Sequence, residues 1–466
     1  MRRLLLFAYN YPPQLAGVRR TVKFIRYLCE FGWQCSIITV KPVRGSGWDD
    51  APLREIAPAR PEVRPTPSLD PYRLSMALRE WRWPLMRRVY QGPARSDSLT
   101  GVSTSGGFSR TIMEFLRRGV FLPDDRVGWL PFAVAAGLAH ARRWKPHALY
   151  STSYPHTAHL AAALVRQITG IPWLADFRDG WTQNPAFFRP LTPLHAWVQR
   201  RLERCVARRA DALVTVSPPI TRHLQQLRGN HPIPAVTIYN GFDDSDFPLN
   251  ASGDDEPVIP ATPRGDTTVA GLKPFSLLYT GTFFGTRTPE TFLEAVARLR
   301  RRRKDFASRA RILLHTALEE QWIARISTLG LGENVELQPF LPHREALRRQ
   351  RQADALLLVT DTGPGSEIIV TQKVFEYLAS GRPIWALCGE AGACRELLER
   401  TGGAYPAPPE NPDAAADALE ALFDSWLAGQ AKGAPAEYLA PFHRREQTRR
   451  LAELLDQITH HGDSGA

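Results

Sequence analysis

The chain has 466 residues, 43% hydrophobic and 23% charged, with a formal net charge of +12. That length leaves room for two or three domains with ample core, and the composition places the chain among soluble globular proteins. The positive charge suits nucleic acid, anionic lipid or phosphorylated small molecules; with no homeodomain, zinc-finger or RNP-type signature, nucleic acid is set aside as a partner.

In chain order, the run Met1–Ala8 is too short for a secretory signal and is closed by Tyr9-Asn10-Tyr11-Pro12-Pro13. It reads as a first buried strand, Leu4–Ala8. Val18, Thr21, Phe24, Ile25 and Leu28 then recur at helical spacing, Gly32 ends the helix and Ser36–Val40 forms the next strand, a βαβ opening to a doubly wound sheet. The apolar run from Trp129 to Ala139 is well short of a membrane span. Strands are expected at His147–Ser151, Ile171–Ala175, Ala212–Val216 and Val236–Tyr239, with helices at Ala161–Ile168 and Leu194–Val206 between them.

Leu249 to Pro274, rich in Ala, Gly, Asp, Pro and Thr and without periodicity, reads as an interdomain linker. The alternation restarts with strand Phe275–Thr280, helix Glu290–Arg303, strand Arg311–His315, helix Glu319–Leu329 and strand Val335–Gln338. Helix His343–Gln352, strand Ala355–Thr360, a helix around Lys373 and strand Pro383–Leu387 follow, with a last helix at Arg444–Gln457. The expected class is α/β, two Rossmann-like domains (residues 1–248 and 275–437) joined by the linker 249–274 and followed by a C-terminal helix and tail at 438–466.

Five cysteines (Cys29, Cys35, Cys205, Cys388, Cys394) form no Cys-x-x-Cys pair, so neither a disulfide framework nor a zinc site is indicated. There is no G-x-G-x-x-G and no G-x-x-x-x-G-K-[ST], which argues against a dinucleotide dehydrogenase and a P-loop ATPase. Gly17, flanked by Arg19 and Arg20, either lets backbone N–H groups approach a phosphate or acceptor or is a turn glycine. Asp176-Phe177-Arg178-Asp179 follows a strand, where such folds place functional loops; a buried Arg–Asp brace is the other reading. His156 and His159 read first as capped or surface histidines, and Asp244-Ser245-Asp246 as an acidic turn, so no metal is assigned.

The richest stretch is the loop Gly363-Pro364-Gly365-Ser366-Glu367 running into a helix that carries Thr371, Lys373 and Glu376 and stops at Gly381-Arg382-Pro383. Val374, Phe375, Leu378 and Ala379 can face a core while Lys373, Glu376 and Ser380 line the other side. A loop feeding a helix N-terminus favours anions. A lysine for phosphate and a carboxylate for ribose hydroxyls would suit a nucleotide sugar; a surface ion pair is the alternative.

Thr371-x-Lys373-x-x-Glu376-Tyr377-Leu378-Ala379-x-Gly381-x-Pro383-Ile384 resembles the nucleotide-binding motif of retaining glycosyltransferases of family four, which have the GT-B fold. Tyr9–Pro13 with Gly17, Ala175–Thr182, Asn240-Gly241-Phe242-Asp243 and Tyr279-Thr280-Gly281 resemble, in the same order, the branch that builds bacterial surface polysaccharides. The resemblance implies two Rossmann-like domains facing each other across a cleft, a last helix crossing back to the first domain, and sugar transfer from a nucleotide diphosphate donor with retention and without a metal or other cofactor. It implies donor contacts from Gly17, Gly281, Glu367, Thr371 and Glu376, with the loop Phe340-Leu341-Pro342 supplying backbone contacts to a base that is left open among UDP, GDP and ADP.

The chain departs from the family pattern at four places. Ala16-Gly17 replaces a double glycine, and Thr282 stands where an arginine is usual, leaving Arg287 and Lys373 as the cations opposite the diphosphate. Ile368 stands where a glutamate is expected, with Glu367 one residue off register. No histidine lies near Arg178, so Arg178 and Asp179 are taken as its substitutes. A catalytically silent nucleotide-sugar-binding or scaffold protein and a nucleotide-sugar epimerase of the same fold are the competing readings.

Two basic aromatic stretches raise a membrane surface as partner. Tyr72–Tyr90 holds Trp81, Trp83, Leu85, Met86 and Tyr90 among arginines. Leu194–Val206 carries a stripe (Leu194, Trp197, Val198, Leu202, Cys205, Val206) beside Arg200, Arg204, Arg208 and Arg209, reading first as a core-facing stripe and second as a bilayer-interface helix. The expected setting is cytoplasmic, on the inner face of the membrane, with a lipid-linked oligosaccharide or a soluble saccharide as acceptor.

Overall fold

A computed structural model describes residues 1–13, 17–42, 50–70, 73, 121–186, 188–229, 232–247 and 273–463. The stretch Tyr72–Tyr90, Arg73 apart, and the linker up to residue 272 lie outside the described residues. Contacts divide the chain into two units, Met1–Ile238 with Gln447–Ala466, and Tyr239–Glu446.

The first unit holds strands β1 (Arg2–Phe7), β2 (Trp33–Val40), β3 (Glu62–Thr66), β4 (Ala148–Thr152), β5 (Trp173–Phe177), β6 (Ala212–Thr215) and β7 (Ala235–Thr237), in the sheet order β3-β2-β1-β4-β5-β6-β7. The second holds β8 (Phe275–Thr280), β9 (Ala310–His315), β10 (Val335–Gln338), β11 (Ala355–Val359), β12 (Ile384–Leu387) and β13 (Ala404–Ala407), in the order β10-β9-β8-β11-β12-β13. Strand pairing within both sheets is parallel. Parallel strands need crossovers that cover both sheet faces, so the central strands are continuous apolar runs: Leu277 and Leu357 pack to one side of the second sheet, Leu278 and Leu358 to the other. In each sheet the order reverses beside the first strand, at β1/β4 and β8/β11, which opens a crevice at the strands' C-terminal ends.

The strands read from sequence are these central strands together with the edge strands β7 and β10. The edge strands β3 and β13 carry no apolar run: Val63 is 39% exposed and Pro65 breaks the pattern, as an edge position tolerates. The apolar run beginning at Trp129 is a helix, Leu130–Trp144, and two further helices, Ala393–Thr401 and Pro412–Leu427, complete the second unit. The last helix runs Arg444–Asp463; Leu451, Leu454, Leu455 and Ile458 join the first unit's core with Val22, Ile25 and Trp33. Asp456 fastens it by accepting from Arg2 and, at 3.0 Å, from Trp33 Nε1.

The expected core stripe of helix Pro193–Arg209 is corrected at its start: Val206 is buried and Val198, Leu202 and Cys205 are half-buried, but Leu194 and Trp197 face outward. Its buried residues are His195, Ala196, Gln199, Glu203, Val206 and Ala207, whereas Leu194 and Trp197 are 69% and 57% exposed. Directional hydrogen bonds set this orientation: Gln199 accepts from Trp181 Nε1 at 2.6 Å and donates to the Pro123 carbonyl at 2.8 Å, and Glu203 accepts from Thr182. Among the described residues no helix is long and apolar enough to cross a membrane.

Candidate functional site

In the second unit the candidate residues converge at the β8/β11 switch point. The backbone after β8 turns at Gly281, where φ is +131° and an added Cβ would lie 2.2 Å from Lys373 Nζ. Glycine is required there because the ammonium rests on the backbone itself. Lys373 enters from helix Gln372–Ser380, which follows β11, and its Nζ donates to the Tyr279 hydroxyl at 3.2 Å while lying over that ring. Burial and then repulsion from Arg287 push the Lys373 pKa down to about 7, against attraction from Glu376 and Asp361.

Arg287 sits at the end of the loop that follows Gly281. It donates to Asp361 Oδ2 at 2.8 Å, stacks over Phe284, and keeps a buried Nε with no partner. The Thr362 amide donates to Thr286 Oγ1 at 3.1 Å, so the loops after β8 and β11 are tied together and both cations stand on braced backbone. Two cations whose mutual repulsion is only partly offset are a site prepared for an anion.

Glu376 lies one turn beyond Lys373, and its carboxylate is met by His343 Nε2 at 3.1 Å rather than closing a pair with the lysine. Thr371 is the N-cap residue but makes no side-chain cap bond, and its buried hydroxyl has no partner. The helix therefore opens with unfilled polar capacity at the end that favours anions. Val374, Phe375, Tyr377 and Leu378 face the core; Ala379 is half-buried. Leu341 is half-buried in the loop before helix His343–Gln352, and the neighbouring Pro339 carbonyl bonds His315 Nδ1 at 2.8 Å. Glu367 is exposed on a single 3₁₀ turn, Ser366–Ile368, with its backbone against Gly392, while Ile368 points into the core.

In the first unit Gly17, Arg178 and Asp179 also come together. Arg178 donates to the Gly17 carbonyl and, from Nε, to Asp179 Oδ2 at 3.2 Å; a Cβ on Gly17, at φ +65°, would strike the guanidinium. Beneath them Asp176 is fully buried. It accepts from Arg20 Nε at 3.1 Å and from Arg20's terminal nitrogen at 3.0 Å, from the Tyr150 hydroxyl at 2.6 Å and from Thr152 at 3.0 Å. Burial pushes this carboxyl up, but Arg20 and these hydrogen bonds hold it below its ordinary value.

His156 and His159 are not surface groups, as expected from sequence, but almost fully buried. His156 stacks on Trp181 with centroids 4.3 Å apart, and His159 Nδ1 bonds Ser151 Oγ at 2.8 Å. Desolvation lowers both pKa values, His159 to about 3, so neither ring carries charge at neutral pH. Asp244–Asp246 forms one 3₁₀ turn capped by Asp243, and no metal-ligating cluster occurs among the described residues.

Sequence reading missed His343 and Asp361 in the second unit and Arg20 as the partner of Asp176 in the first. Each is far in sequence from its partner; only the position of Asp361 just past a strand end was a usable signal.

Residues 16–241 match the model of a glycosyl transferase 4-like domain and residues 274–425 that of glycosyl transferases group 1. No curated protein matches the sequence. Among solved structures the chain is similar to a glycosyltransferase from Rickettsia africae (12% identity, 98% of each chain, TM-score 0.61). It is also similar to a sucrose-phosphate synthase from Thermosynechococcus elongatus (14% identity, all of each chain, TM-score 0.59). A third similar structure is the lipopolysaccharide outer core galactosyltransferase WaaB (14% identity, 98% and 99% of the two chains, TM-score 0.56). At these identities the likeness is one of fold, and the two matched domains in this order give it a functional class: the chain has the domain architecture of a GT-B glycosyltransferase.

Proposed function

We propose that the protein transfers a sugar from a nucleoside diphosphate donor to an acceptor, with retention of configuration and with side-chain cations in place of a metal. The observation that carries this reading is the pair Lys373 and Arg287 at the ends of β8 and β11, with Glu376 one helical turn further on. An arriving diphosphate would restore the proton to Lys373 and take up the unpartnered Nε of Arg287. As the glycosidic bond breaks, these groups would stabilise the charge developing on the departing diphosphate. Glu376, held by His343, would accept from the ribose hydroxyls.

The acceptor proposed is a lipid-linked oligosaccharide of a surface polysaccharide, presented at the cytosolic membrane face. The order of motifs shared with that branch and the net charge of +12 support it. The test is incubation of the pure protein with a panel of labelled nucleotide sugars, with and without membrane extract. Label transferred to the lipid fraction with the donor's anomeric configuration is expected. Tight nucleotide binding without transfer would replace this reading with a silent binding protein, and a changed donor sugar without acceptor would make it an epimerase.

A further inference from the structure

Helix Pro193–Arg209 buries a row of polar side chains and leaves the apolar residues at its start exposed. Its inward row is His195, Gln199 and Glu203 at intervals of four, and the last two bind Trp181, Thr182 and the Pro123 carbonyl. Its outward row begins with Leu194 (69% exposed) and Trp197 (57%), continued from the preceding loop by Leu191 (41%). Side chains that satisfy polar groups inward fix the rotation of the helix, so Leu194 and Trp197 cannot roll into the core.

The charge on the outward side has one sign. Arg200, Arg201, Arg204, Arg208 and Arg209 follow the apolar start, Arg200 lies over Phe188 and Arg201 over Trp197. The one acid between residues 185 and 209, Glu203, is buried and turned towards Thr182 and His223. Exposed Leu and Trp beside arginines, without an exposed carboxylate, is the composition of a helix lying in a lipid headgroup region: the ring and leucines enter the acyl boundary while the guanidinium groups stay at the phosphates.

The geometry points to this face as the seat of the protein on an anionic phospholipid bilayer. The inference goes beyond the transfer reaction, since it concerns where the protein stands and holds whether the acceptor is lipid-linked or soluble. Each arginine near an anionic surface contributes about fivefold in binding, falling off within a Debye length, so attachment is salt-sensitive and the apolar residues decide whether it persists.

The experiment is flotation of the full chain with vesicles of phosphatidylglycerol and phosphatidylcholine in equal parts, and with phosphatidylcholine alone. Binding to the anionic vesicles at low salt is expected, with little to the neutral ones. Leu194→Ser with Trp197→Ser, and separately Arg200→Glu with Arg201→Glu and Arg204→Glu, should each reduce binding more than tenfold without shifting the melting temperature, because all five side chains are exposed. No binding to anionic vesicles at low salt, or binding unchanged in both variants, overturns the inference. Because the readout is lipid binding and not turnover, an inactive donor site would leave the result intact.

Discussion

The two sheets share one strand order, apart from the extra edge strand β7 of the first, yet their switch points are finished in opposite ways. Beside the β1/β4 switch point in the first unit, the carboxylate of Asp176 near the end of β5 is buried with Arg20, Tyr150 and Thr152 all donating to it. At β8/β11 in the second, Lys373 and Arg287 repel one another, Arg287 keeps an unpartnered Nε and the Thr371 hydroxyl bonds nothing. A closed network holds loops in place, whereas an unfinished one has binding capacity left over. Equal topology therefore does not imply equal chemistry; the difference lies in whether each charge already has its counterpart.

Breaking the closed network should have the largest effect, and on stability. Asp176→Ala leaves Arg20 without its buried carboxylate and should cost about 3–5 kcal/mol in denaturant unfolding. Loss of less than about 1 kcal/mol would mean that this network is no more closed than the second.

The open site should respond in turnover instead. Lys373→Ala and Arg287→Ala should each lower kcat by roughly 10²–10³-fold, the scale for removing one group that stabilises transition-state charge, with a smaller loss of folding stability than Asp176→Ala. Equal weakening of binding to the phosphate-free nucleoside would contradict their assignment to the diphosphate.

Glu376→Ala should weaken every nucleoside diphosphate by about 1–3 kcal/mol in titration calorimetry, and the free nucleoside by as much, since the lost contact is to ribose. Damage confined to the diphosphate would assign Glu376 to the phosphate side of the site.

The last effect is read against pH. The folded Lys373 pKa, about 7, lies below its ordinary value of 10.5, so between these pH values the unfolded chain binds more protons than the folded one. Stability should therefore rise with pH across that window, and the rise should shrink in Lys373→Met. Diphosphate affinity should move the other way, falling by up to tenfold per pH unit above about 7, because the bound anion needs the ammonium. A flat profile in both would show that Lys373 is charged throughout.

Local chemistry was legible where it is written locally. Leu4–Phe7, Phe275–Thr280 and Ala355–Val359 are apolar enough to be buried on both faces and could be read as central strands, while β3, with Glu62 and Arg64 at an edge, could not. The glycine after β8 and the lysine and glutamate three apart on one helix face were likewise visible, because a turn and a helical period fix them within a few residues. The inward and outward faces of helix Pro193–Arg209 were not: its periodicity marks a stripe, but hydrogen bonds from Trp181 and Thr182 and to the Pro123 carbonyl decide which side of it is buried.

By itself the sequence determined the two α/β halves, the order of their central strands along the chain and the candidate cations, since each depends on propensity, period or turn geometry over short range. The tertiary structure alone decided that His343 meets Glu376, that Asp361 braces Arg287 and that Arg20 is spent on Asp176. Those pairings join residues 33, 74 and 156 positions apart. No local pattern encodes them, because parallel strands bring together the ends of loops that the chain itself keeps far apart.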